Sequence, residues 1–349
     1  MVLTPLVVSI VSMACGAEQA PAGRQVATFN HQICSAGRTA FKAGQWPSAC
    51  WRPYARSSPF NRPIPKRPRL DPRSRQIVDR LVGFGRPNPL RAGVADTDDD
   101  YYHPTYYATS SDPEYTIRGG SSTQPYAVDG RKVRLPSGAR PARGSDHHLT
   151  IVYEGYEYGL WDASVNGRNI DVGSGRKIKI AGRGIMGAAT AARFGGLAGI
   201  IRAPEMESGR IRHALFMTVQ CTDGRAVYPA SLVSDDECDD PTDAPPMGAH
   251  FQLHMSASNI RSLRAPRWKK TILTAMARYG MYVGDVTGSP WALQFESGST
   301  YTSFGYEDRM VTFAKRAHVP QRDGRYVFDF ASGVDWGRYL RVVAPHPGR

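Results

Sequence analysis

The clearest pattern along the chain is an alternation of apolar and polar residues through HHLTIVYEGYEYGLWD, residues 147–162, which predicts a β-hairpin. With Glu154-Gly155 as a two-residue turn, Tyr153 pairs with Tyr156, Val152 with Glu157, Thr150 with Gly159 and His148 with Trp161. Side chains alternate across a strand, so Leu149, Ile151, Tyr153, Tyr156, Tyr158 and Leu160 form one apolar face. His148, Thr150, Glu157 and Trp161 share the other, where a carboxylate, an imidazole and an indole suit a sugar-handling surface. Shorter strand-like runs lie at 105–108, 115–117, 132–135, 214–221, 250–255, 281–283, 291–296 and 310–314.

Helical spacing appears in fewer places. Asp71 offers an N-cap, Pro72 the first helical position, and Ile77, Val78, Leu81 and Val82 a stripe that ends near Gly83. Residues 266–279 place Trp268, Ile272, Leu273, Met276 and Tyr279 on one face, with Gly280 at C′. A short helix is expected near 188–193. The layout predicts a mainly β fold, a β-sandwich or jelly roll with two or three peripheral helices, formed as a single domain by residues 71–345. The 35 Gly and 26 Pro among 349 residues agree, because short strands joined by tight turns need them.

Before that domain, residues 21–70 are rich in Pro and Arg and lack periodicity, which predicts an irregular arm pinned by a disulfide. The apolar run 2–14 is too short for a spanning helix and ends in small residues, so residues 1–20 read as a secretory signal. Met13-Ala14-Cys15-Gly16 resembles a bacterial lipobox, with Ser12 where Leu or Val is usual, so membrane attachment through lipidated Cys15 and cleavage after Ala17 or Ala20 both stand. The other cysteines are Cys34, Cys50, Cys221 and Cys238. Neighbour pairing closes loops of about 15 residues, each contributing roughly 3 kcal/mol by the chain-entropy argument; other pairings stay open. The expected location is secreted or anchored in a bacterial cell envelope.

With 44 basic and 31 acidic residues, the net charge of +13 favours polyanionic partners. For an exported chain these are acidic glycans, teichoic acids or lipid headgroups; the Arg residues are scattered, so no specific nucleic-acid partner is expected. No C-x-x-C, P-loop, Gly-x-Ser-x-Gly elbow or dinucleotide fingerprint occurs, so no cofactor or metal is expected, and a monomer is the expected state.

Several motifs together resemble a widespread bacterial secreted family. They are Ser58-Pro59-Phe60-Asn61-Arg62-Pro63, Gly138-Ala139-Arg140-Pro141 leading to Asp146-x-His148, and Tyr156-Glu157-x-x-x-Trp161. Further on come Gly196-Leu197-x-Gly199, then Glu205-x-x-x-Gly209-x-Ile211-x-His213-Ala214-Leu215, Pro245-Pro246-x-Gly248-Ala249 and Tyr279-Gly280-x-Tyr282-Val283-x-Asp285. The resemblance spans residues 57–300 and implies export without specifying an activity. Leu160 departs from the family spacing by adding a residue before Trp161. Gln252-Leu253-His254 is similar to the strand Gln-x-His motif of jelly-roll alginate lyases, whose Tyr-rich second motif has no counterpart here.

These residues define the candidate chemistry. Asp146 can orient His148, leaving the other ring nitrogen as acid or base, or the two are a turn Asp beside a structural His. Glu157 and Glu205 are candidate glycosidic carboxylates, for which a separation near about 5 Å or about 6.5–9.5 Å would mark retaining or inverting chemistry. A buried hydrogen-bond network for Glu157 and a salt bridge for Glu205 are the plainer alternatives. His213 is either a proton acceptor or a core histidine on the apolar face of Leu215, Met217 and Val219. Arg212 can neutralise a uronate, His250, Gln252 and His254 align as a binding patch, and Asp285 is a third carboxylate or an Asx-turn residue. Trp161, Trp291 and Tyr282 stack sugars if exposed. The expected function is thus an exported carbohydrate-active protein acting on an extracellular polysaccharide, hydrolysing it through carboxylates drawn from Glu157, Glu205, Asp146 and Asp285. The alternatives are a lyase on an acidic glycan, with His148, His213 or His254 as base, and a non-catalytic carbohydrate-binding or envelope protein.

Overall fold

Two-residue turns organise the strands. Glu154 and Gly155 both adopt left-handed backbone, φ 47° and 75°, so the twist of their turn matches that of the flanking strands. Asp323-Gly324 does the same, φ 49° and 76°. The computed structural model describes residues 46–94, 97–120, 127–232, 237–296 and 298–345. The expected signal, Cys15, Cys34 and the start of the arm lie outside them.

The strands are Leu90–Ala92 (β1), Thr105–Tyr107 (β2), Glu114–Gly119 (β3), Lys132–Arg134 (β4), Leu149–Tyr153 (β5), Tyr156–Asn166 (β6) and Asn169–Lys179 (β7). They continue as Leu215–Val219 (β8), His250–Leu253 (β9), Met281–Val286 (β10), Trp291–Leu293 (β11), Gln321–Arg322 (β12), Arg325–Phe328 (β13) and Leu340–Val343 (β14). The helices are Ser74–Phe84 (α1), Ala203–Ser208 (α2), Ala257–Ser262 (α3), Arg267–Arg278 (α4), Ser299–Thr302 (α5), Arg309–Arg316 (α6) and Trp336–Tyr339 (α7). The fold is mainly β and sandwich-like, and α1, α4 and α6 are the longer helices. One sheet has the order β2-β5-β6-β7-β3-β4, a second β11-β8-β10-β9-β14, and a small third β1-β13-β12. Both large sheets are mixed, with β2 parallel to β5, β3 to β7 and β8 to β10.

The hairpin register is the one its turn dictates: Tyr153 faces Tyr156, Val152 faces Glu157 and Thr150 faces Gly159. Its apolar face, Leu149, Ile151, Tyr158 and Leu160, belongs to a cluster with Ile117, Val133 and Ile170. The opposite face is covered as well, since Val152 and Ile178 join the larger core that contains Phe194, Phe216 and Phe251. The hairpin strand also runs beyond Asp162, because Gly167-Arg168 turns it into β7, which the local pattern had not predicted.

Helices α1 and α4 follow their stripes. Ile77, Val78 and Leu81 are buried while Val82 stays exposed, and Gly280 has the left-handed φ of 78° that a C′ residue needs. Three expectations fail. Helix α1 begins at Ser74 with Arg73 as its N-cap, two residues later than Asp71 and Pro72 would place it, because the Asp71 carboxylate accepts the Arg73 N–H at 2.8 Å and closes a turn ahead of the helix. Residues 310–314 belong to α6 instead of a strand, because the Asp308 carboxylate caps the Met310 N–H at 2.8 Å and Met310 and Ala314 bury one helical face. Residues 188–193 form turns instead of a helix: Gly187 N–H donates to the Arg193 carbonyl at 2.8 Å and Ile185 bridges to Phe194, a closure that a rising helix cannot make.

Cys221 and Cys238 are joined, as neighbour pairing expected, across a sequence separation of 17. Cys50 is also disulfide-bonded. Replacing Cys221 and Cys238 together by Ser is expected to lower unfolding free energy by about 3 kcal/mol, read from urea denaturation; an unchanged midpoint would mean that the loop is held by its other contacts.

Candidate functional site

The ten candidate residues separate into distinct surroundings. Glu157 is fully buried. Its Oε2 accepts the Tyr54 hydroxyl at 2.5 Å and its Oε1 the Gly196 N–H at 2.5 Å. Glycine is required in this loop, because a Cβ on Gly195 would lie 2.8 Å from Glu157 Oε1 and one on Gly196 would run into Thr150 Oγ1. Burial outweighs these hydrogen bonds and pushes the carboxyl up to about 7. The carboxyl thus stands inside the core, away from the open sheet face expected for it.

Glu205 and His213 do meet, but also inside the protein. His213 Nε2 lies 3.1 and 3.2 Å from the two Glu205 oxygens, while Arg202 donates to Oε1 from its side chain at 2.9 Å and to Oε2 from its backbone N–H at 3.0 Å. Burial alone would raise this carboxyl; Arg202 and His213 outweigh it and hold it at about 2. Arg202 also donates to the Trp51 carbonyl at 2.6 Å, so the cluster clamps the arm to α2. All four oxygens of Glu157 and Glu205 are engaged by protein donors, leaving neither group facing a substrate.

The patch on β9 is covered by α4. Gln252 donates to the Ala277 carbonyl at 2.7 Å, and His250 Nε2 lies 2.8 Å from the Tyr279 carbonyl. The last carbonyls of a helix lack intrahelical partners, so these side chains serve as its C-terminal caps. His254 alone is exposed there. Asp285 accepts the Ala191 N–H at 3.2 Å and the Val286 N–H at 2.9 Å, pinning the loop that precedes Phe194. Trp291 and Tyr282 are buried, so they are not stacking platforms.

Asp146, His148 and Trp161 form the one expected grouping that reaches solvent. Trp161 donates its Nε1–H to Asp146 Oδ1 at 3.1 Å, and Asp146 Oδ2 lies 3.7 Å from His148 Nε2. His148 is buried against His103, with ring centroids 4.1 Å apart. Burial lowers both imidazoles, His103 to about 4. His103 had no periodic signal; it stands in YYHP, between Tyr102 and Pro104, and only its tertiary partner marks it.

The backbone explains why Trp161 is outside. Asp162 has φ 50° opposite Gly173, whose Cβ would stand 3.0 Å from those of Asp162 and from Trp161 Cζ3. At this point the ribbon of β6 and β7 exchanges its faces: Tyr158 and Leu160 before it, and Ala163 and Val165 after it, all contribute to the same apolar cluster. Trp161 and Asp162 both fall away from that cluster. His147, also left-handed at φ 42°, lies beside Asp162, its Nδ1 3.3 Å from Asp162 Oδ1. The expected pairing of His148 with Trp161 gives way here, where the Asp162 N–H donates to the Asp146 carbonyl at 2.8 Å. Arg212 belongs to a different surface, where it lines a cleft with residues of α4.

Compared with protein-family models, curated proteins and solved structures, the chain matches none.

Glu157 sets a pH dependence with a definite sign. Its folded carboxyl is raised above 4.5 to about 7, so its contribution to stability is full below 4.5 and is lost as pH rises through about 7. Glu157→Gln is therefore expected to gain on the wild type by about 3 kcal/mol as pH increases across that window, measured by urea denaturation at several pH values. A pH-independent difference would show that the carboxyl titrates normally.

Proposed function

We propose that the protein is an exported carbohydrate-binding protein whose sugar contact is the Trp161 platform. The carrying observation is an indole that is 39% exposed and tethered through its own N–H to Asp146. Tethering sets the ring orientation before a ligand arrives, which reduces the entropy lost on binding. Asp146, Asp162 and His147 border the ring and supply acceptors and a donor for sugar hydroxyl groups, the combination of one apolar face and a few convergent polar groups that orients a ligand. Left-handed backbone at two non-glycine residues costs of order 1–3 kcal/mol each and persists where it serves a site.

Export is supported by the Cys221–Cys238 disulfide, since such bonds persist in oxidising compartments. Among the described residues no helix is long and apolar enough to cross a membrane. Hydrolysis by the carboxylates expected from the sequence receives no support from the geometry, because Glu157, Glu205 and Asp285 are all turned to protein donors. Two of the three candidate lyase bases, His148 and His213, are buried as well, which supports binding without turnover.

Short neutral oligosaccharides of glucan, mannan, galactan and chitin type are the probes. Trp161→Ala is expected to weaken the bound member at least about tenfold, equivalent to about 1.4 kcal/mol, in calorimetric titration. Trp161→Phe should retain part of the affinity. Asp146→Asn should retain most of it, because the amide oxygen still accepts the indole N–H. New reducing ends, or an unsaturated uronate product from an acidic glycan, would assign catalysis instead.

A further inference from the structure

A separate cleft of about 600 Å³ lies between α4 and the segment 209–212. Five cationic side chains line it, Arg210 and Arg212 from the segment and Arg267, Lys270 and Arg278 from α4; among the described residues no acidic side chain does. Three of them contact neutral groups. Arg267 donates to the Ser208 carbonyl at 3.4 Å, Lys270 to the Arg261 carbonyl at 2.7 Å, and Arg278 lies over the Tyr279 ring.

The arrangement follows from the helix. Arg267, Lys270, Thr274 and Arg278 are spaced by three and four residues, so they form a stripe opposite the buried Trp268, Ile272 and Met276. Rising over eleven residues, the stripe is about 16 Å long. Like charges gathered without counter-charges destabilise the fold, and a bound polyanion relieves that repulsion.

The facing wall is rigid. Gly209 ends α2 with φ 69°, and the Arg210 N–H donates to the carbonyl of Glu205, the residue clamped by Arg202 and His213 at its side chain. Arg52 holds the Arg212 carbonyl at 3.0 Å. A Cβ on Gly209 would stand 2.7 Å from Arg267 Nη2, so the glycine lets that guanidinium rest against the wall.

We infer that this cleft binds the carboxylate groups of an acidic polysaccharide, a second site distinct from the Trp161 platform and independent of it. Guanidinium forks match carboxylates in a bidentate manner, and the Thr271 and Thr274 hydroxyls in the lining can accept from sugar hydroxyls. Single-stranded nucleic acid is disfavoured because the one aromatic residue lining the cleft, Tyr279, is buried and offers no stacking face. A lipid surface is disfavoured because the lining lacks exposed large apolar side chains.

The test is retention of the full chain on immobilised polygalacturonate and on dextran, with single-stranded DNA and phosphatidylglycerol vesicles as competitors. Retention on polygalacturonate that falls as salt rises, with none on dextran, is expected. Arg212→Gln combined with Lys270→Gln is expected to weaken it about a hundredfold, two charged hydrogen bonds being lost, with unchanged thermal melting showing that the variant folds. Should that variant not fold, protection of wild-type arginines from an arginine-directed reagent by polygalacturonate gives the same readout. No retention on polygalacturonate, undiminished retention by the folded double variant, or tighter binding of DNA or vesicles would overturn the inference. Loss of neutral-oligosaccharide binding leaves it standing, because the two sites are read with different ligands.

Discussion

The buried carboxyl of Glu157 holds together three stretches that are distant in sequence: the arm through Tyr54, the long sheet through its own strand β6, and the glycine loop through Gly196. A carboxylate with no cation beside it is costly to bury, and its raised pKa shows the molecule favouring the neutral form. Around it the backbone must come unusually close, which is why Gly195 and Gly196 cannot carry side chains. The Gly196 carbonyl then lies 3.4 Å from His103, which packs on His148, so the same junction supports the inner side of the hairpin end that bears Trp161.

Charge is distributed in two regimes. Inside, ions are matched: Glu205 has Arg202 and His213, and this cluster fastens the arm and α2. Outside, the segment that follows α2 and the polar stripe of α4 bring five cations together in a cleft that, among the described residues, no acidic side chain lines. The buried cluster contributes rigidity and the exposed one contributes attraction. Of the candidate carboxylates, Glu205 falls in the first regime, Glu157 is buried against neutral donors and Asp285 is held by backbone N–H groups, which moves the functional reading from hydrolysis toward recognition.

Much of the local structure was legible because it depends on near neighbours. The Glu154-Gly155 turn determined the register of β5 and β6, and the face composed of Leu149, Ile151, Tyr158 and Leu160 followed from parity alone. The stripe of α4 and its glycine terminus followed from helical period. Even β7 carried its signal in the turn glycine Gly167. By contrast, alternation placed Glu157 on the non-core face and Gln252 on a polar patch, and both faces turn out to be covered, one by the glycine loop and Tyr54, the other by α4.

What the sequence by itself determined is therefore the set of faces: which residues share a side of a strand or helix, and the register that the Glu154-Gly155 turn imposes. Only the tertiary structure decided which of those faces meet water. The physical reason is that a polar face can be satisfied by solvent or by protein groups at no difference in local pattern, and the partners here, the Tyr54 hydroxyl and the Gly196 N–H for Glu157 and the carbonyls of α4 for His250 and Gln252, come from remote positions. The exposure of Trp161 depends in the same way on a single left-handed residue, Asp162, opposite a glycine contributed by the neighbouring strand.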